Sequence, residues 1–320
     1  MADPLPPKLP ARAPCGHKGD FGRVAVVGGC ALADTRMIGA PALAALAATR
    51  SGAGLVQLLC PEEVLNEALS IASQATGRAL PTDGCGAVLA SESVAVLDEA
   101  IEQADALIIG PGLGRGAGPS AMALRAIQQK LTPVVIDADA LNELADTPQL
   151  ALDFHAPAVL TPHPGEYARI AMALGIDADA TKDERRPHAA ESLAQRLGCV
   201  VVLKGARTVV SDGIKTWSDD TADSALATGG TGDVLAGLVG GLVAQHARPI
   251  THELARAKLG ERIRHAGDDG RLTLFEIACC AVVAHAHAAR LWRERHHASA
   301  GLTPTELADE IPEAVTALRG

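Results

Sequence analysis

Thr228-Gly229-Gly230-Thr231-Gly232-Asp233-Val234-Leu235 decides how the rest of the chain is read, together with the apolar run Ala236 to Gln245 behind it. A glycine-rich turn here feeds directly into an apolar helical pattern. Such a junction leaves backbone N–H groups unpaired at a helix start, where the helix dipole favours an anion. Gly229, Gly230 and Gly232 let a ligand approach the backbone closely. Asp233 is the odd residue, a carboxylate placed where an anion would otherwise be welcome. A lone Gly-Asp at a helix start reads as a cap. Beside this glycine density a second reading opens: a base next to an anion hole, accepting a proton during phosphoryl transfer.

The 320 residues suffice for one large α/β domain or two small ones. With 48% hydrophobic and 21% charged residues the chain reads as globular. Aromatics amount to 2%, so the core must be alanine, valine and leucine, and base-stacking platforms for single strands are disfavoured. A net charge of -10 argues against non-specific binding to nucleic acid or to anionic membranes. An acidic chain binds phosphates only through local N–H groups and a few lysines. The seven cysteines (Cys15, Cys30, Cys60, Cys85, Cys199, Cys279, Cys280) include no C-x-x-C pair and read as small buried apolar residues in a reducing compartment. Met1 to Pro14 has no apolar signal core. No apolar run approaches the roughly 18 residues of a membrane span. Together these point to a cytoplasmic protein.

Prolines at 4, 6, 7, 10 and 14 make residues 1–16 a flexible arm. Beyond it, short β-branched runs alternate with helical patterns. Arg23 to Val27 ends on Gly28-Gly29, and Ala106 to Ile109 on Gly110-Pro111-Gly112-Leu113-Gly114. Pro133 to Ile136 ends on Asp137-Ala138-Asp139, Ala158 to Leu160 on Thr161-Pro162-His163-Pro164-Gly165-Glu166, and Val200 to Leu203 on Lys204-Gly205. Asp212-Gly213 signals a hairpin between Val209–Ser211 and Lys215–Trp217. This alternation predicts a three-layer α/β/α fold with a mostly parallel central sheet, in a single domain over 17–320. Ligands on such sheets bind at the carboxyl ends of the strands. A charged stretch around 251–271 reads as a solvated insertion. His285 and His287 stand two apart in a helical run, a spacing that does not face one partner, so no metal pair is expected there. Thr303-Pro304-Thr305-Glu306 is a capping box opening the last helix.

Each strand-end motif has a bland reading. Gly110 to Gly114 fits a tight turn, Asp137 a helix cap, His163 a hydrogen-bonded structural histidine, and Lys204 to Thr208 a surface turn. All of them fall on one edge of one sheet, and the bland reading would have to hold for every one at once.

At this point the chain resembles the ADP-dependent NAD(P)H-hydrate dehydratases of the ribokinase-like superfamily. The resemblance is carried by His17-Lys18-Gly19-Asp20-Phe21-Gly22-Arg23, Gly39-Ala40, Arg50-Ser51-Gly52-Ala53-Gly54-Leu55-Val56 and the strand-end motifs in their order, through Gly229 to Asp233. It covers roughly residues 17–320. It implies repair of reduced nicotinamide cofactors that have taken up water: dehydration of the S form of hydrated NADH or NADPH, with ADP as phosphoryl donor and AMP and phosphate released. By this likeness Asp233 is the base, and the N–H groups of Gly230, Thr231 and Gly232 hold the transferring phosphoryl. Ala40, Gly114, His163 and Asp233 touch the hydrate. Lys204, Gly205, Ala206, Arg207, Thr208 and Gly232 hold the adenine nucleotide. Mg²⁺ is expected on the phosphates, with no dedicated metal ligands in the protein. Asp137, Asn142 and Glu166 are expected as supporting contacts. A homo-oligomer, a tetramer by family likeness, and a separate NAD(P)H-hydrate epimerase acting on the other epimer complete the implied partners. The competing readings are a small-alcohol kinase using ATP and a nucleotide-binding regulator without turnover. The Thr161 to Glu166 stretch with Lys204-Gly205 favours the dehydratase over the first, and the intact Asp233 argues against the second.

Overall fold

Arg23–Val27 forms strand β1, and its last four residues are all buried. Neighbouring strand residues point to opposite faces. Val24 and Val26 enter one apolar cluster, Ala25 and Val27 another. A strand covered on both faces lies inside a layered fold. The computed structural model describes residues 7–247 and 271–320 of the chain. After β1 come β2 (Cys30–Leu32), β3 (Thr35–Met37), β4 (Leu55–Pro61), β5 (Thr76–Leu80), β6 (Ala106–Ile109) and β7 (Val134–Ile136), then β8 (Ala158–Leu160), β9 (Val200–Leu203), β10 (Val209–Ser211) and β11 (Thr216–Ser218). Nine of these form one sheet in the order β11-β10-β9-β8-β7-β6-β1-β4-β5, and β2 and β3 pair separately. All pairings from β9 to β5 are parallel, and β9, β10 and β11 pair antiparallel.

One face of the sheet is covered by α1 (Gly39–Arg50), α2 (Glu62–Ile71), α9 (Thr231–His246) and the helices Leu274–His296 and Pro304–Ala317. The other is covered by α3 (Ala90–Gln103), α4 (Ala117–Gln128), α5 (Ala138–Ala145), the short α6 (Leu150–Asp153), α7 (Pro164–Leu174) and α8 (Arg186–Leu197). This is the three-layer architecture expected from the alternation of elements. Small residues make it close-packed with few aromatics, of which Phe154, Tyr167, Trp217 and Trp292 are buried. On α9, a Cβ added to Gly237 would lie 2.2 Å from Ala44 O of α1. Backbone approaches backbone there instead of side chain meeting side chain.

Several local expectations need adjusting. The β2–β3 hairpin and β5 carry no apolar alternation: β5 reads Thr-Gly-Arg-Ala-Leu at the sheet edge, and only Leu80 of it is fully buried. The arm is tied down from Leu9, whose side chain is buried and whose backbone pairs with Leu318 and Gly320. The cysteines are not uniformly buried, since Cys15 and Cys85 are exposed. The helix Leu274–His296 has an 18-residue window of mean hydropathy 1.4, enough by composition to cross a membrane, although 56% of that window is buried inside the structure. The charged stretch at 251–271 lies outside the described residues except for Arg271. Ala247 and Leu272, which flank it, are bridged to each other.

Candidate active site

β1 pairs with β4 on one side and with β6 on the other. The strand order reverses at this point, where open α/β sheets place their ligand crevice, at the carboxyl ends of the strands. The two glycine turns meet there. Gly29 N–H donates to Pro111 O at 3.1 Å, and a Cβ on Gly28 would lie 2.1 Å from the same oxygen. Ala40, half-buried near the start of α1, stands against this turn, 3.2 Å from where a Cβ on Gly112 would sit. Gly114 takes φ 74, a left-handed conformation that favours glycine. Its N–H donates to Asp139 Oδ2 at 2.9 Å. Asp139 therefore holds the turn that carries Gly114.

Asp137 occupies the N-cap position of α5 and makes no capping bond. Its buried carboxylate turns into the site, accepting from Lys204 Nζ at 2.5 Å and from the Thr161 hydroxyl at 2.8 Å. Between the two aspartates Ala138 sits at φ 50, a conformation that costs a non-glycine residue and clusters at functional sites. His163 caps α7: its Nδ1 accepts from Gly165 N–H at 2.9 Å, and its own N–H donates to Glu166 Oε2 at 2.7 Å. The structural reading of His163 is thus realised, while its side chain stays 57% exposed at the crevice. Burial first, then the charge of Lys204, pulls its pKa below the ordinary imidazole value. Glu166 also lies 3.8 Å from Lys204 Nζ.

The loop from Lys204 to Thr208 is braced from beneath by Arg186. This arginine is 4% exposed and donates to Ala180 O, Leu203 O and Lys204 O, each at 2.9 Å, and to Arg207 O at 3.2 Å. A Cβ on Gly205 would lie 2.5 Å from its guanidinium. Arg207 pairs with the exposed Asp220, and Thr208 Oγ1 donates to Gly205 O. Replacing Arg186 by leucine leaves four carbonyls without their donor. A stability loss of about 2–4 kcal/mol is expected. Chemical denaturation measures it; a variant of unchanged stability would remove Arg186 from the support of this loop.

α9 begins at Thr231 behind Gly230, whose φ is 96. Asp233 does not reach back to form a capping box, unlike the first-turn acids of α7 and the helices Leu274–His296 and Pro304–Ala317. Thr231 N–H points to Thr228 O at a long 3.4 Å, while the N–H groups of Gly232 and Asp233 take no partner among the described residues. Lys204 Nζ stands 3.6 Å from where a Cβ on Gly232 would be. Asp233 is pushed up to about 7, by burial and then by the negative charge of Asp137, against the pull of Lys204. Glu166 is also pushed up to about 7, chiefly by burial. For Lys204, burial favours loss of the proton, but Asp137, Glu166 and Asp233 outweigh it and hold the ammonium above its ordinary pKa. A carboxylate poised near neutrality beside free N–H groups and one buried ammonium suits proton abstraction during transfer of an anionic group.

The sequence model of the NAD(P)H-hydrate dehydratase family matches residues 24–313. The chain belongs to this family. A family member from Xanthomonas campestris, an ADP-dependent (S)-NAD(P)H-hydrate dehydratase, is 35% identical over 276 residues, covering 83% of this chain and 88% of its own. The bifunctional NAD(P)H-hydrate repair enzyme of Moorella thermoacetica is 38% identical over 76% of this chain and 44% of its own. The chain spans about half the length of such bifunctional relatives. Among solved structures, the Bacillus subtilis ADP/ATP-dependent NAD(P)H-hydrate dehydratase, co-crystallised with ATP/Mg²⁺, superposes with a TM-score of 0.71 at 26% identity, covering 99% of this chain and 100% of that one. A ribokinase-like superfamily protein from Enterococcus faecalis shares the fold, with a TM-score of 0.71 at 23% identity.

The structure brings Lys204, Gly232 and Asp233 together with Asp137, Asp139 and Glu166, and it places Ala40 and Gly114 at one corner of the crevice. Asn142, expected as a supporting contact, instead accepts from Arg169. The reading of the sequence missed Arg186, hidden in a charged run that looks like surface, and the hold of Asp139 on Gly114. The lone alanine between two aspartates carries no signal of its left-handed backbone.

Proposed function

We propose that this chain dehydrates the S form of hydrated NADH or NADPH at the expense of ADP, restoring the reduced cofactor and releasing AMP and phosphate. The observation that carries this reading is Asp233 held near neutrality beside the free N–H groups of α9 and the Lys204 ammonium, in a member of the dehydratase family. Asp233 takes the proton of the ring hydroxyl as its oxygen attacks the terminal phosphorus of ADP. The α9 N–H groups and Lys204 stabilise the charge on the moving phosphoryl. The phosphate ester is a good leaving group. The ring nitrogen lone pair expels it, and loss of a proton from the neighbouring ring carbon restores the double bond.

Lys204 to Thr208 support the nucleotide side, with Gly232 between the two substrates. Ala40, Gly114 and His163 support the hydrate side. In this reading the cation arrives on the nucleotide. Mg²⁺ bound there would neutralise phosphate charge, with Asp137 and Glu166 as the carboxylates available to its waters. Supply of the S epimer by a separate epimerase, and assembly as a homo-oligomer, belong to the same reading.

The test is recovery of the reduced nicotinamide absorbance when purified protein, Mg²⁺ and ADP are mixed with hydrated NADH. Recovery that depends on ADP is the expected result. No recovery with ADP or ATP, on protein shown to be folded, would overturn the proposal.

A further inference from the structure

The first turn of α9 has the least local support in the site. Its N-cap is Gly230, which has no side chain to cap with, and Gly232 follows inside the turn. Glycine disfavours helix, and an uncapped end frays unless something outside holds it. Two groups do so, both at Thr231. Its hydroxyl lies 2.9 Å from Leu226 O and from Thr228 O, tying the helix to the preceding turn. Its carbonyl oxygen lies 2.9 Å from Nε2 of His285, on the helix Leu274–His296. A carbonyl can only accept, so His285 carries its proton on Nε2. The residue is 8% exposed. Burial pulls its pKa down to about 4, against the Thr231 bond and assisted by the charge of Lys204. The ring therefore stays neutral and keeps this tautomer at neutral pH.

We infer that His285 is a positioning residue: its Nε2–H bond to Thr231 O holds the first turn of α9, and with it the Asp233 carboxylate and the N–H groups beside it, where phosphoryl transfer needs them. This rests on the dehydratase reading of the site. The competing account is a histidine that only fills space between two helices. The two accounts separate at the donated hydrogen. Misplacing a base by a fraction of an ångström slows the chemical step far more than it weakens binding, whereas lost packing lowers stability.

His285→Leu keeps an apolar side chain in place and removes the donor; His285→Gln keeps an N–H donor near the same position. The expected result is a folded Leu variant whose kcat falls about 10–100-fold, with KM for the hydrate and the Kd of ADP within about threefold, and a Gln variant that recovers most of the loss. Amide hydrogen exchange at Val234 and Leu235, which bond within that turn, should quicken about tenfold or more in the Leu variant and much less in the Gln variant. A Leu variant with wild-type kcat, a Gln variant as slow as the Leu variant, or unchanged exchange would each overturn the inference. The exchange measurement needs no hydrate. A wild-type protein without dehydratase activity would therefore sink the functional reading alone, and exchange would still decide the role of His285.

Discussion

Asp233→Asn is expected to lower turnover by about 10²–10⁴-fold, the usual worth of a general base, with ADP affinity close to that of the wild type. The same substitution should make the protein more stable. The free Asp value is 3.8 and the folded value is about 7, so the folded protein holds this proton more tightly than the unfolded chain does. Stability through this group is therefore lost as pH rises from about 4 to about 7, because ionising a buried carboxyl next to Asp137 is unfavourable. Asparagine removes that cost. At pH 8 the melting temperature should rise by about 3–8 °C, and the gain should shrink to nothing near pH 4. In the wild type, kcat/KM should fall as pH drops below about 7, when the base of the free enzyme becomes protonated. Steady-state kinetics with thermal melts at two pH values test all of this. Near-wild-type turnover would return Asp233 to the role of a helix-start acid.

Lys204→Ala should weaken ADP about 10–100-fold, the loss of one charge-assisted contact to phosphate, and should affect the hydrate less. Its second effect comes from what it leaves behind. Asp137 is 1% exposed and Lys204 is its counter-ion at 2.5 Å. Removing one partner of a buried pair costs about 3–5 kcal/mol. Lys204 also holds the Asp233 pKa down, so the acid limb of kcat/KM should move to higher pH. The double variant Lys204→Ala/Asp137→Ala removes the orphaned carboxylate as well. It should regain part of the stability while still binding ADP poorly. Unchanged ADP affinity by calorimetry in either variant would remove Lys204 from the nucleotide site.

Electrostatics set the tension in this site. Asp137, Glu166 and Asp233 face the Lys204 ammonium, and burial together with the neighbouring negative charge opposes ionisation of Glu166 and Asp233.

Much of this was legible in the residues themselves. Val24 to Val27 and Val200 to Leu203 are apolar throughout because both faces of a central parallel strand are covered, and that pattern is local. Thr303 and Glu306 form the expected capping box for the same reason. The strand-end motifs, and the glycine turn ahead of α9, follow from short-range sterics and are read within a few positions. What the local pattern could not supply were the partners. Asp137 read as a cap, yet its carboxylate is taken by Lys204, 67 positions on. Arg186 stands in a charged run and drew no reading from the sequence, yet it is buried under the loop from Lys204 to Thr208.

The sequence alone pointed to the alternation of central strands and helices, to the strand ends as the edge that carries the motifs, and to the Gly229 to Asp233 turn as the candidate centre, because periodicity and backbone sterics act between near neighbours. Only the tertiary structure decided which carboxylate pairs with Lys204, which two are left to ionise near neutrality, and what holds α9 at its first turn. Those outcomes depend on burial and on charges brought together from distant positions, and neither exists until the chain has folded.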